Sequence, residues 1–192
     1  QLGLVVRKIE DDGYLRFERV GGVPEKILLG QTISVITKNG KALSGTIGTK
    51  SHHATQPDEK YNVPSYRDLY IDLGLCTANE VRTSGIDIGS PIVYKPSAEI
   101  IGDEKIIGTS VDDRAGCAVL LEVARQINSR TAGPEINIVF TVQEEFNLRG
   151  ALPVAQKIKP EIAIQIDLLL ASDTPDMRDF GEIKLGEGPG IS

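Results

Sequence analysis

Three stretches decide the fold: residues 105–127 (KIIGTSVDDRAGCAVLLEVARQI), 136–145 (INIVFTVQEE) and 162–167 (IAIQID). Residues 105–108 read as a short strand. Residues 113–130 read as a helix, with Ala118, Leu121, Ala124 and Ile127 on one side and Leu120 and Val123 widening the stripe. Residues 136–142 are a continuous apolar run, as expected of a strand buried on both faces. Residues 149–159 predict a second helix, ended by Pro160, and residues 162–166 a third strand. Strand, helix, strand, helix, strand implies right-handed crossovers. It predicts an α/β fold with a mainly parallel sheet.

Upstream the pattern is different. Residues 2–9, 14–20, 26–36, 41–49 and 69–73 are rich in Val, Ile, Tyr and Thr, and turn signals at Asp11-Asp12-Gly13, Gly21-Gly22 and Asn39-Gly40 divide them. Asn39-Gly40 between apolar runs predicts a hairpin with a type I′ turn. Short strands at close spacing predict a small barrel. Residues 52–64 are polar, with two prolines, and read as a surface loop. Thr77 opens a short helix as its cap, with Glu80 placed for a capping box and Gly85 as its stop. Residues 90–95 resume as a strand. The predicted division is a barrel domain over 1–93, whose N-terminal residues also begin a strand of the second domain, and a partial α/β domain over 94–192.

Composition narrows the function. The 192 residues carry 21 Lys and Arg against 27 Asp and Glu, a net charge of −6 that disfavours a nucleic-acid partner. The longest run without a polar residue, 115–121, is too short to span a bilayer, so no membrane partner is expected. Cys76 and Cys117 stand alone, without C-x-x-C spacing, which predicts a reduced cytoplasmic setting. Trp is absent, which disfavours a stacking platform for sugars or bases. The first residue is Gln1, residues 2–6 read as mid-strand, and the last residues stop in a glycine-rich loop. The expectation is an internal piece of a longer protein.

Acidic residues follow the three predicted strands: Asp112-Asp113, Glu144-Glu145 and Asp167. In an open α/β sheet the crevice beyond the carboxyl ends of the strands takes the ligand. Carboxylates gathered there repel one another and take up protons, and a divalent cation offsets that repulsion. The competing reading is that each group is a solvated loop residue or a helix cap. Residue types leave both open.

The surrounding residues carry a resemblance. Residues 111–118 (VDDRAGCA) and 142–151 (VQEEFNLRGA) are similar to the two central motifs of the tetrahedral aminopeptidases, dinuclear-metal exopeptidases that include the deblocking and glutamyl aminopeptidases. Ile166-Asp167 followed by Asp173-Thr174-Pro175 resembles their third motif, and residues 185–189 (LGEGP) their following glycine loop. The resemblance runs from residue 1 to 192. It implies an α/β/α metallopeptidase catalytic domain carrying an inserted β-barrel that serves dimerisation and the substrate chamber. It implies two divalent ions per subunit, zinc by preference and cobalt or manganese as options. Asp112 would bridge them, Glu145 would bind one and Asp167 the other. Glu144 would be the general base, and Asp113, reached across a cis peptide, would orient the ligands. Two further His ligands of the family would lie outside this chain. The implied activity removes N-terminal residues from short peptides. The implied assembly is a homo-oligomer of dimers building a dodecamer.

Other residues receive plainer readings. His52 and His53 cannot both ligate from one strand, and a structural or subunit-contact role is expected. Cys117 falls on the apolar side of its helix and is expected to be packed; Cys76 is expected to be inert. Arg114 and Arg149 either pair with nearby carboxylates or are surface charges. Asp173 and Thr174 either line the cleft or form a turn. Competing functions are a metal-dependent deacetylase or carboxypeptidase, a carboxylate-pair glycoside hydrolase of endoglucanase type, and a non-catalytic scaffold.

Overall fold

The computed structural model describes residues 3–127 and 132–191. The chain divides into two compact units, residues 1–109 with 141–158, and residues 110–140 with 159–192.

The first unit is built on a closed six-stranded barrel. Its strands are β1 (Gly3–Ile9), β2 (Leu15–Val20), β3 (Thr32–Ile36), β4 (Ala42–Gly48), β5 (Tyr70–Asp72) and β6 (Pro91–Tyr94). They run in the order β1-β2-β5-β4-β3-β6, and the paired strands are antiparallel. Alternation along each strand turns one side chain in two inward. Leu4 and Val6, Leu15 and Phe17, Ile33 and Val35, Ile47, Ile71 and Ile92 all enter one buried cluster. A register shift between Val6 and Lys8 interrupts that alternation in β1, so that Ile9 is buried while Lys8 stays out. Closure leaves the barrel without a free sheet edge.

The turn at Asn39-Gly40 joins β3 to β4, as expected, by a different device. The Gly40 N–H donates to Thr37 O at 2.9 Å and the Thr37 N–H to Lys41 O at 2.8 Å. Gly40 is left-handed at φ +76 and Asn39 is not. This is a longer loop with its glycine in the bulge position, in place of the predicted type I′ turn. The predicted strand over 26–36 begins only at Thr32, because Glu25–Ile27 is a 3-10 turn. The short helix α1 (Ala78–Thr83) is capped as foreseen: the Glu80 N–H donates to Thr77 Oγ1 at 3.2 Å. The Glu80 carboxylate reaches back to the N–H of Cys76 at 2.7 Å instead of that of Thr77. Gly85 follows at φ +92. His52–Ala54 is a 3-10 turn, so the strand geometry assumed for His52 and His53 does not apply. The His52 ring stands edge-on to that of Tyr61, 6.2 Å between centroids.

Beyond the barrel, β7 (Ala98–Ile101) and β8 (Lys105–Gly108) form an antiparallel hairpin. The sequence reading missed β7 and took residues 105–108 for the first strand of a parallel sheet. Ile100 and Ile106 face each other across the hairpin and are 73% and 70% exposed. The first unit also holds α2 (Ala151–Ile158), within the span predicted for the second helix.

The second unit opens with α3 (Val111–Ile127). Residues 128–130, the predicted end of that helix, and residues 1–2, part of the predicted first strand, lie outside the described residues. The apolar stripe of α3 is not buried: Leu121 is 62% exposed, and Gly116 is the buried residue of the helix. Cys117 is accordingly exposed and not packed.

The parallel sheet is not present among the described residues. Residues 136–142 and 162–166 join no ladder, and Ile162 and Ile164 are more than four-fifths exposed. A strand exists only by hydrogen bonding to a neighbour, and apolar content alone does not supply one. No helix of the described residues is long and apolar enough to cross a membrane.

The barrel core yields a direct expectation. Phe17 is buried at its centre, so Phe17→Ala should cost about 3–5 kcal/mol. Urea unfolding followed by tyrosine fluorescence measures it; a cost below about 1 kcal/mol would contradict this core assignment.

Candidate metal centre

The second unit brings Asp112, Asp113 and Asp167 together. One carboxylate oxygen from each lies within 4.8 Å of the others. Asp112 and Asp113 are reached through an irregular entry to α3. Their φ, ψ values of −79, 112 and −114, 52 are not helical, and the peptide between them is cis. Ser110, just before, is left-handed at φ 53. Non-glycine residues in that region are uncommon and gather at functional sites.

Asp113 is held from the helix behind it. The Gly116 N–H donates to Asp113 Oδ1 at 2.9 Å, in the manner of an N-cap. A β-carbon at Gly116 would stand 2.6 Å from that same oxygen. The glycine therefore makes the seat in which the carboxylate rests. The sequence reading did not single out Gly116. The signal available was a glycine inside an otherwise strong helix, three residues beyond an acidic pair.

Partial burial, then the charges of Asp167 and Asp113, push the Asp112 carboxyl above the ordinary Asp range. Its own backbone directs the Asp167 side chain, since the Leu168 N–H donates to Asp167 Oδ1 at 2.8 Å.

Glu144 and Glu145 belong to the first unit and are displayed on a tight turn. The Arg149 N–H donates to Gln143 O at 3.2 Å, Leu148 N–H to Glu144 O at 2.9 Å, and Gly150 N–H to Val142 O at 3.0 Å. Gln143, Asn147 and Leu148 are all left-handed, at φ 56, 61 and 56. A β-carbon on Gly150 would stand 2.7 Å from Val142 N, so the turn also depends on a glycine that the sequence reading passed over. Arg149 lies 5.9 Å from the Phe146 ring centroid, a cation–π contact within the same turn.

The donor set of the Asp cluster suits a small divalent cation. Carboxylate oxygens about 2.0–2.2 Å from zinc lie up to about 4.4 Å apart across the ion, close to the spread found here. Such a charge would also relieve the repulsion that adds to desolvation in raising Asp112.

A match to the family model of M42 glutamyl aminopeptidases extends over residues 1–192. The chain belongs to the M42 glutamyl aminopeptidase family. It is 31% identical over 192 residues to the lysyl aminopeptidase of Pyrococcus furiosus, covering 98% of this chain and 54% of that protein. Among solved structures it is similar to a TET aminopeptidase from a marine-sediment Thaumarchaeota archaeon, at TM-score 0.85 and 34% identity, covering 92% of this chain and 50% of the other. It is also similar to the TET1 peptidase of Pyrococcus horikoshii, which can assemble into a tetrahedron or a large octahedral shell; there the TM-score is 0.78, the identity 31% and the cover 87% and 50%. A Thermotoga maritima structure described as an endoglucanase matches at TM-score 0.68 and 31% identity, over 92% of this chain and 48% of that one. The chain spans about half the length of the curated relatives it matches.

Two outcomes are expected of the Asp cluster. Gly116→Ala should displace the Asp113 carboxylate and weaken divalent-metal binding by about 10–100-fold, measured by calorimetric titration of the full-length protein. An unchanged affinity would show that the seat is not needed. The raised Asp112 carboxyl binds its proton more tightly folded than unfolded. Its contribution to stability is present below the ordinary value of 3.8 and lost as pH rises through the raised value. In metal-free protein, Asp112→Asn should therefore melt higher than wild type at neutral pH, with the gap closing on acidification. A pH-independent gap in thermal melts would contradict that cause.

Proposed function

We propose that the full-length protein is a metal-dependent aminopeptidase that removes N-terminal residues from short peptides. Membership of the M42 family supports the peptidase class, and the convergence of Asp112, Asp113 and Asp167 is the structural observation that carries the metal reading. In this reading Asp112, Asp167 and Glu145 would hold two divalent ions, Asp112 contributing to both, Asp167 to one and Glu145 to the other. Zinc fits this donor set, with cobalt and manganese as alternatives. Two further ligands, both His, are expected from elsewhere in the polypeptide. The ions would supply Lewis acidity toward the peptide carbonyl and toward water at neutral pH.

The protein's own residues do the rest. Glu144 takes the proton of the attacking water on its carboxylate and returns it to the leaving amine. Asp113, locked to the Gly116 amide, orients its neighbours. Acidic groups of the site receive the free α-amino group of the substrate, which restricts hydrolysis to the first peptide bond.

Residues 1–93 serve in this proposal as the barrel domain for subunit pairing and the chamber wall, and residues 94–192 as part of the catalytic α/β/α domain. The exposed isoleucines of 162–166 and the uncovered stripe of α3 support a parallel sheet completed by the rest of the polypeptide. The shell-forming TET1 peptidase supports a homo-oligomer, with dimers building a dodecamer as the specific form proposed. The two free cysteines fit a reducing, cytoplasmic setting.

The neighbour described as an endoglucanase favours a second reading, in which Glu144 and Glu145 cleave a glycosidic bond without metal. Chelation separates the two. Peptide turnover that EDTA abolishes and metal restores supports the aminopeptidase; cellulose turnover that survives EDTA selects the glycosidase. Glu144→Gln should retain both metal equivalents and lose at least about 100-fold in kcat, the usual minimum for a lost general base. Retained turnover would reject that base.

A further inference from the structure

We propose that Ser172 is a positioning residue for Asp167: it clamps the segment that fixes the direction of the Asp167 carboxylate, and so tunes the affinity of that carboxylate for a divalent cation. The inference rests on the metal reading above.

Residues 162–166, which lead into Asp167, join no ladder among the described residues, so Asp167 is not anchored from its upstream side by a sheet. Its carboxylate is instead tied to the peptide that follows it, through the Leu168 N–H. Whatever orients the backbone of residues 168–173 therefore orients the carboxylate.

That segment is held at three points. The Ser172 N–H donates to Ile183 O at 2.7 Å. The Ser172 hydroxyl donates to the same oxygen at 3.1 Å and accepts from the Ile183 N–H at 2.8 Å. Asp173 Oδ2 accepts from the Leu185 N–H at 3.2 Å. The Leu169 side chain lies against Gly190, where a β-carbon would collide with it.

Ser172 is the strongest of these points. It is a buried polar residue in a unit whose apolar side chains are largely exposed, and both faces of its hydroxyl are used. Donor and acceptor must both be present, and only a hydroxyl supplies them at this size. Ser172→Ala removes two of the three bonds to Ile183 and leaves the amide bond alone.

The test is calorimetric titration of the metal-free full-length protein with zinc alone. Wild type should take up zinc in two steps, and Asp167→Asn should remove one of them. Ser172→Ala should weaken that same step by about tenfold, within the range typical of groups that orient metal ligands, and spare the other. Ser172→Thr keeps the hydroxyl and should restore most of the affinity. If Ser172→Ala does not fold, Ser172→Cys fills the site with a weaker donor, and the same weakening is expected of it. Affinity unchanged in Ser172→Ala while Asp167→Asn loses a step would overturn the clamp and leave the metal centre standing. Equal loss in the Ala and Thr variants would overturn the role of the hydroxyl. Zinc uptake by none of the proteins, wild type included, would overturn the metal reading itself.

Discussion

Mutual repulsion among carboxylates is the constraint on which the second unit turns. Asp112, Asp113 and Asp167 present oxygens within 4.8 Å of one another, and Asp112 holds its proton more tightly as a result of partial burial and those neighbours. Like charges so close are disfavoured unless a proton or a cation intervenes. The backbone is arranged to keep them there: a non-helical entry to α3, a left-handed Ser110, and a glycine that leaves room for one carboxylate against the helix. Each feature is costly or unusual by itself. Together they describe a chain that gives up local regularity to hold charge in one place.

The barrel follows the opposite logic. Its strands bury alternate apolar residues in a single cluster, and its ladder closes on itself. The closed barrel thus supplies a self-sufficient core, while the acidic residues are carried on turns and helix entries. The hairpin β7–β8 and the helix α3 carry the converse signature, with isoleucines and leucines left open. Surfaces of that kind mark interfaces.

Glycine placement unites the two acidic motifs. Gly116 sits three residues beyond Asp113 and Gly150 five beyond Glu145; a side chain would collide with the Asp113 carboxylate at the first and with the Val142 backbone at the second. Acidic pair and glycine are thus one physical device: the acid supplies charge, and the glycine supplies the space, for the carboxylate itself at Gly116 and for the returning backbone at Gly150. The clamp at Ser172 performs the same task for Asp167 by hydrogen bonding in place of space.

Much of this was legible in the amino-acid order. Alternating apolar residues determined the barrel strands, because inward and outward positions differ at every step along a strand. Thr77 and Glu80 determined the start of a helix, since a hydroxyl there meets an amide that has no other partner. The acidic pairs marked themselves by falling after apolar runs. What the order alone did not decide was pairing. Residues 105–108 could join a parallel or an antiparallel neighbour, and only folding against residues 98–101 selected the hairpin. Apolar residues at 136–142 and 162–166 announced burial, but a strand is a property of two segments, and no ladder partner stands beside them among the described residues. The seat under Asp113 and the clamp on Ile183 were invisible for the same reason: each is a contact between atoms whose distance is set by the fold and not by the order of residues.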